Sequence, residues 1–233
     1  MSRQKDLYAI VDTETANSYF DSAGKLCLMD SLVYDIAVAI IDKKGRVYDV
    51  HRFICKEIFY SSLMVSAYYA RKIPQYMKAI NNGDIEVLPF KEIFKRIRAF
   101  LKTYKVKAVM AHNARFDYRA LNNTLRYLTG SKNRFFFPYE LPIWDTQIMA
   151  RDTICHQKKY IKFCQTNNYM TKHKTPRPRE TAEILYRYIS NNNDFVEAHT
   201  GYEDIMIEKE IFAYCTKQHK KMRRSILDKK KKI

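Results

Sequence analysis

The chain reads as an α/β fold: a mixed five-stranded sheet in which an antiparallel three-stranded meander is joined by parallel strands and flanked by helices. Three observations predict it. Residues 33–42 and 46–54 are strand-like runs joined only by the turn Lys43-Lys44-Gly45, and a third such run lies upstream at 7–12. Beyond the meander, apolar side chains recur at helical spacing. Two short apolar segments, 107–113 and 142–145, each lead into such a helical pattern, an alternation that gives parallel strands covered by helices.

The elements follow in order. Residues 7–12 (LYAIVD) read as a buried strand, 33–42 (VYDIAVAIID) as a second and 46–54 as a third. Residues 57–82 read as mostly helical, with Pro74, which has no N–H to donate, breaking or restarting the run. Ile93, Phe94, Ile97, Phe100 and Leu101 mark the inner stripe of a helix between Phe90 and Tyr104. The strand at 107–113 passes into a helix ending near Leu128, and the strand at 142–145 into one ending near Met149. Further helices are expected at 156–166, 179–190 and about 201–222.

With 233 residues, 46% of them hydrophobic, the chain can bury one sizeable core. Residues 1–216 are expected to form that domain and 217–233 a basic tail. No apolar stretch approaches the roughly 18 residues a membrane span requires. The first apolar run ends at Val11, too short for a secretory segment, so a cytoplasmic protein is expected. The five cysteines include no CxxC pair and are odd in number, which points to scattered reduced thiols rather than a disulfide framework or a cysteine-rich zinc site.

Charge is more informative. Lys plus Arg number 42 and Asp plus Glu 25, a net +17. Such an excess suits a polyanion, because each neutralised phosphate releases counterions. It is concentrated at 217–233, with nine Lys/Arg against one Asp, and at 151–180, with eight against two acids. In the second segment Tyr160, Phe163 and Tyr169 interleave with cations. Single-strand binders use that combination to stack bases and track phosphates, although core aromatics beside solvated lysines have the same composition.

Against this background, four acids stand out. Asp12 and Glu14 are two apart at a strand end, so both point to one face. Asp117 begins a stripe with Leu121, Leu125 and Leu128, and Asp204 one with Ile207, Ile211 and Tyr214 or Cys215. A carboxylate on a core-facing stripe needs a partner, either a helix N-terminus or a cation. If the three segments converge, about four negative charges meet. Such a set calls for hard cations with oxygen ligands, two Mg²⁺ or Mn²⁺. His199 lies five residues before Asp204, just ahead of the helix.

The residues around these acids resemble the motifs of the DEDDh, or DnaQ-like, 3′→5′ exonucleases of the ribonuclease H-like superfamily. Asp12-Thr13-Glu14-Thr15 is similar to the first motif. Ala111-His112-Asn113-Ala114-Arg115-Phe116-Asp117 is similar to the second. His199-Thr200-Gly201-Tyr202-Glu203-Asp204 resembles the third, with Gly201 where alanine is usual. Thr200 stands where the sister group has tyrosine. The hairpin at Lys43-Lys44-Gly45 and the segment Ile143-Trp144-Asp145-Thr146 also resemble the family, and the likeness covers about residues 6–216.

The resemblance implies a ribonuclease H-like fold. It also implies that Asp12, Glu14, Asp117 and Asp204 hold two Mg²⁺ or Mn²⁺ and that His199 serves as general base. Thr15, His112, Asn113 and Phe116 then help place the 3′-terminal nucleotide. The implied reaction is hydrolysis of the terminal phosphodiester of single-stranded DNA, releasing nucleoside 5′-monophosphates. The alternatives are RNA trimming by the same chemistry, or a proofreading or accessory subunit bound to a DNA polymerase or another replication or repair protein.

Overall fold

The apolar runs become neighbouring strands. In a computed structural model of the chain, residues 5–16, 19–20, 26–27, 31–66, 70–130 and 135–227 are described. The strands are β1 (Leu7–Ala16), β2 (Tyr19–Phe20), β3 (Leu26–Cys27), β4 (Leu32–Asp42), β5 (Val47–Cys55), β6 (Glu86–Leu88), β7 (Val109–Ala111) and β8 (Ile143–Asp145). Six form one sheet in the order β6-β5-β4-β1-β7-β8, and β2 pairs with β3 separately. The meander β1-β4-β5 is antiparallel, whereas β6, β7 and β8 pair parallel to their neighbours. The expected mixed sheet is therefore present with one strand more than five. The addition, β6, is three residues long at a sheet edge, too short to show a period.

The helices are α1 (Lys56–Phe59), α2 (Ile73–Asn81), α3 (Phe90–Thr103), α4 (Arg115–Thr129), α5 (Thr146–Ala150), α6 (Lys158–Thr166), α7 (Ala182–Ser190) and α8 (Gly201–Lys217). Side chains alternate along β1 and divide the core in two. Ala9 and Val11 join Ile93, Ile97, Leu121 and Leu125 on one face. Tyr8 and Ile10 join Met149, Ile205, Ile211 and Phe212 on the other. Residues 57–82 are less helical than expected: two 3₁₀ turns, Ser62–Ser66 and Ala70–Lys72, separate α1 from α2, and Pro74 opens α2 as its second residue. A missing N–H costs nothing in the first turn. Among the described residues, no helix is long and apolar enough to cross a membrane. Cys55, Cys155, Cys164 and Cys215 are buried and free, while the side chain of Cys27 lies outside the described residues.

The last helix ends at Lys217, short of 222. The following residues turn back along β8: Asp145 donates its N–H to the Arg224 carbonyl (2.7 Å), and Ile226 donates to that of Ile143 (3.1 Å). Arg223 grips Asp152 with two nitrogens at 2.6 and 2.9 Å, and Ile226 is buried. The lysine run at 229–232 lies outside the described residues. Truncation after Lys217 is therefore expected to cost roughly 3–5 kcal/mol, through a lost apolar side chain, two backbone bonds and a stranded Asp152. Urea denaturation of the truncated and the full-length protein checks this, and equal stability of the two overturns it.

Candidate active site

The acids expected to converge do so where β1 runs out under the start of α8. Asp12 and Glu14 share one face of β1. Together with Asp204 in the first turn of α8, they present carboxylate oxygens all within 4.8 Å of one another. The close approach depends on Gly201. A Cβ there would lie 3.2 Å from the Ala37 Cβ and 3.4 Å from the Asp12 carbonyl oxygen, so glycine lets the helix start rest on the sheet. The β1–β4 register slips between Glu14 and Thr15, a local irregularity at the end of the acidic pair.

Asp117 arrives from the other layer. It sits in the first turn of α4, where the free N–H groups favour negative charge. Its Oδ1 accepts from the Thr13 backbone N–H (3.1 Å) and the Thr13 hydroxyl (2.8 Å). Thr13 points away from Asp12 and Glu14, so one strand residue anchors the fourth acid beside the other three.

Burial first, and then mutual repulsion, raises the pKa values of this group. Asp12 is raised well above its ordinary range by burial, then by Asp117, Glu208 and Asp204. Glu14 is pushed up to about 10 by burial and then by Asp35 and Asp204. Burial also takes Asp204 to about 8, with Glu197 the next contributor. Asp117 reaches about 7 through burial, although the Thr13 bonds oppose it. The Asp204 Oδ1 is buried with no hydrogen-bond partner. An all-carboxylate donor set with an orphaned oxygen suits hard divalent cations, whose charge would relieve the repulsion.

His199 stands at the open side, 41% exposed, with Nδ1 3.6 Å from Glu197 Oε2. Its backbone is left-handed (φ 53°), strained for a histidine. Lys72, from the 3₁₀ turn before α2, donates to the carbonyls of Ala198 and His199, the latter at 2.9 Å, and so braces that conformation. Burial and then Lys72 lower the His199 pKa, favouring the neutral imidazole.

The other expected contacts fall less uniformly. Asn113 is exposed with φ 62°, a conformation asparagine tolerates, and its N–H donates to Asp145 Oδ1 (3.1 Å). Asp145 also caps α5 through the N–H groups of Gln147 and Ile148. Phe116 is half-buried, and Thr15 is buried opposite Val33. His112 is held by the protein itself. Its Nε2 donates to the Glu180 carbonyl (2.7 Å), and its Nδ1 lies 3.0 Å from the Thr146 hydroxyl. Both ring nitrogens are engaged, so the side chain positions the second motif, and neither nitrogen is left for a nucleotide.

Two further buried acids escaped the sequence reading. Asp35, the cross-strand partner of Glu14, accepts from the Tyr76 hydroxyl (2.7 Å) and the Gly201 N–H (3.1 Å). It thus pins α2 and α8 to the sheet. Glu208 lies one turn beyond Asp204. It accepts from the His112 backbone N–H, but its Oε2 is buried without a partner. Burial and then Asp117 and Asp204 raise its pKa well above the usual range. The signal was available, since i and i+4 share a helix face. Because an acid with a raised folded pKa destabilises the fold as pH climbs, Glu208→Gln is expected to stabilise the metal-free protein by at least about 1 kcal/mol at pH 8. Chemical denaturation reads this directly, and a comparable loss of stability would show that the charge is used.

The basic segment is divided by burial. Tyr160, expected as a base-stacking candidate, is fully buried, with its hydroxyl donated to the Arg179 carbonyl (2.6 Å), so it cannot stack a base. Phe163 and Tyr169 are partly buried against the same core cluster. In contrast, Lys172, Lys174, Arg177 and Arg179 are exposed on a loop closed by Thr171 N–H to the Arg177 carbonyl and Arg179 N–H to the Tyr169 carbonyl. The loop ends at Glu180, whose carbonyl holds His112 and whose carboxylate takes Arg151 at 2.9 Å.

The strand order and the helices on both faces of the sheet give a fold shared with solved exonuclease domains. The chain is similar to the nuclease domain of 3′hExo, a DEDDh family member solved bound to rAMP: TM-score 0.59, 10% identity, covering 97% of this chain and 98% of that one. It is also similar to E. coli exonuclease I in complex with a dT13 oligonucleotide (TM-score 0.58, 14% identity, 92% of this chain), of which it spans 42%. A full-length 3′-exonuclease matches at TM-score 0.58 and 11% identity, covering 95% of this chain and 64% of that one. No family model and no curated protein matches the sequence.

Proposed function

We propose that the chain is a metal-dependent 3′→5′ exonuclease that hydrolyses the terminal phosphodiester of single-stranded DNA and releases nucleoside 5′-monophosphates. The observation that carries this reading is the meeting of Asp12, Glu14 and Asp204 within 4.8 Å, with Asp117 fixed beside them by Thr13. Two Mg²⁺ or Mn²⁺ ions, when bound, supply charge neutralisation and an acidified water. The four carboxylates hold those ions. His199, exposed and neutral, takes the proton of the attacking water on its imidazole. Thr15, Asn113 and Phe116 border the place of the terminal nucleotide, and His112 keeps the Asn113–Phe116 turn in position. The exposed cations Lys172, Lys174, Arg177 and Arg179 follow the phosphate backbone.

The test is a panel of 5′-labelled single-stranded, duplex and mismatched DNA and of RNA, each with Mg²⁺, with Mn²⁺ and with EDTA. Metal-dependent shortening from the 3′ end, fastest on single-stranded DNA, is expected. Faster shortening of RNA would reassign the substrate, and no shortening of any strand sinks the proposal.

A further inference from the structure

Beside the all-carboxylate centre lies a second donor set of different chemistry. Glu197, His199 and Asp204 place one ligand atom each within 4.8 Å of one another. The His199 Nδ1 to Glu197 Oε2 separation of 3.6 Å is too long for a good hydrogen bond. It is close to the roughly 3.3 Å between two ligands on a tetrahedral ion with metal–ligand bonds near 2.0–2.1 Å. The Asp204 carboxylate is more than nine-tenths buried and carries the partnerless Oδ1.

We propose that Glu197, His199 and Asp204 form a second site, sharing Asp204 with the first, for a borderline transition-metal ion, Zn²⁺ above all, which withholds His199 from hydrolysis when filled. Zn²⁺ accepts imidazole nitrogen and carboxylate oxygen together and leaves a fourth position open when three protein ligands bind it, whereas Mg²⁺ prefers oxygen ligands alone. The exposed imidazole gives the ion a way in. Lys72, braced on the Ala198 and His199 carbonyls, adds one positive charge beside two carboxylates. An imidazole bound to this ion cannot also take the proton of the attacking water, so occupancy is inhibitory. That consequence rests on the exonuclease reading, whereas the site itself rests on geometry.

The test uses the metal-stripped full chain, with Zn²⁺ and Co²⁺ alone as probes. Wild-type protein should bind Co²⁺ with the intense visible absorption of a four-coordinate ion and retain it in millimolar Mg²⁺. Glu197→Gln should weaken Zn²⁺ and Co²⁺ binding by at least roughly tenfold. It should leave Mg²⁺-supported hydrolysis within about twofold and shift Zn²⁺ inhibition to correspondingly higher concentration. Equal Zn²⁺ affinity in variant and wild type overturns the site. A readout that needs no variant is the ¹⁵N shift of the His199 ring: it should move with Zn²⁺ and not with Mg²⁺, and no movement with Zn²⁺ also overturns the site. If the wild type hydrolyses nothing with Mg²⁺, the exonuclease reading fails while the binding arms still decide the zinc site.

Discussion

Replacing Asp12 with asparagine is expected to lower metal-dependent mononucleotide release by roughly 10³-fold or more while raising the melting temperature of the metal-free protein at pH 8. Both effects come from one carboxylate. Stabilisation of transition-state charge by bound cations amounts to several kcal/mol, and each 1.4 kcal/mol is about tenfold in rate. An amide in place of the carboxylate weakens the hold on those cations. In the metal-free protein the same side chain is a burden. Burial opposes its charge, and Asp117, Glu208 and Asp204 repel it. An amide keeps the shape and removes the repulsion. Single-turnover assays and calorimetry on one preparation read both signs. A variant that loses activity and stability together would make Asp12 a structural residue, and one that keeps full activity would remove it from the metal centre.

What the sequence revealed, and what it hid, divides along physical lines. Asp117 and Asp204 were legible because a carboxylate on an apolar helical stripe contradicts its surroundings, and both prove buried. Asp12 and Glu14 were legible because a strand's two-residue period puts them side by side. Asp35 was visible as an acid within the apolar run of β4, but its meaning depends on register. Only pairing shows that it faces Glu14. Lys72 had no signal at all: it comes from a 3₁₀ turn between two helices, and no period encodes its approach to the His199 carbonyl. Tyr160 misled through its basic neighbours. Its four-residue spacing to buried Cys164 was the better guide, since that pair forms the inner face of α6. In the same way, β6 went unseen because three edge residues are defined by pairing with β5 alone. Periodicity reports which face is buried, whereas register and irregular turns report what meets across the site.

Removing metal should make the protein's stability fall as pH rises from about 5 to about 8.5, and restoring Mn²⁺ or Mg²⁺ should reverse most of that loss at the alkaline end. The sign follows from the direction of the shifts. Asp117 at about 7, Asp204 at about 8 and Glu14 at about 10 all titrate above their ordinary values in the folded chain. Between the ordinary and the folded pKa, the folded state keeps a proton that the unfolded chain has released. Folding is then disfavoured by up to about 1.4 kcal/mol per pH unit for each such group. Stability from these groups is complete below about pH 4 and is lost as pH climbs through 7 and 8. Asp42 and Asp152 have lowered pKa values and act in the opposite sense, but only at acid pH, where their arginine partners lose the carboxylate. A divalent cation requires the ionised carboxylates and displaces their protons, so its apparent affinity rises with pH. At a hundred times the dissociation constant it contributes about 2.7 kcal/mol. The melting temperature in EDTA should thus drop from pH 5.5 to pH 8.5, with a metal-induced rise that is large at pH 8.5 and small at pH 5.5. A melting temperature in EDTA that instead increases over this range would mean that the four acids are already neutralised by the protein, leaving no physical reason for them to hold a metal.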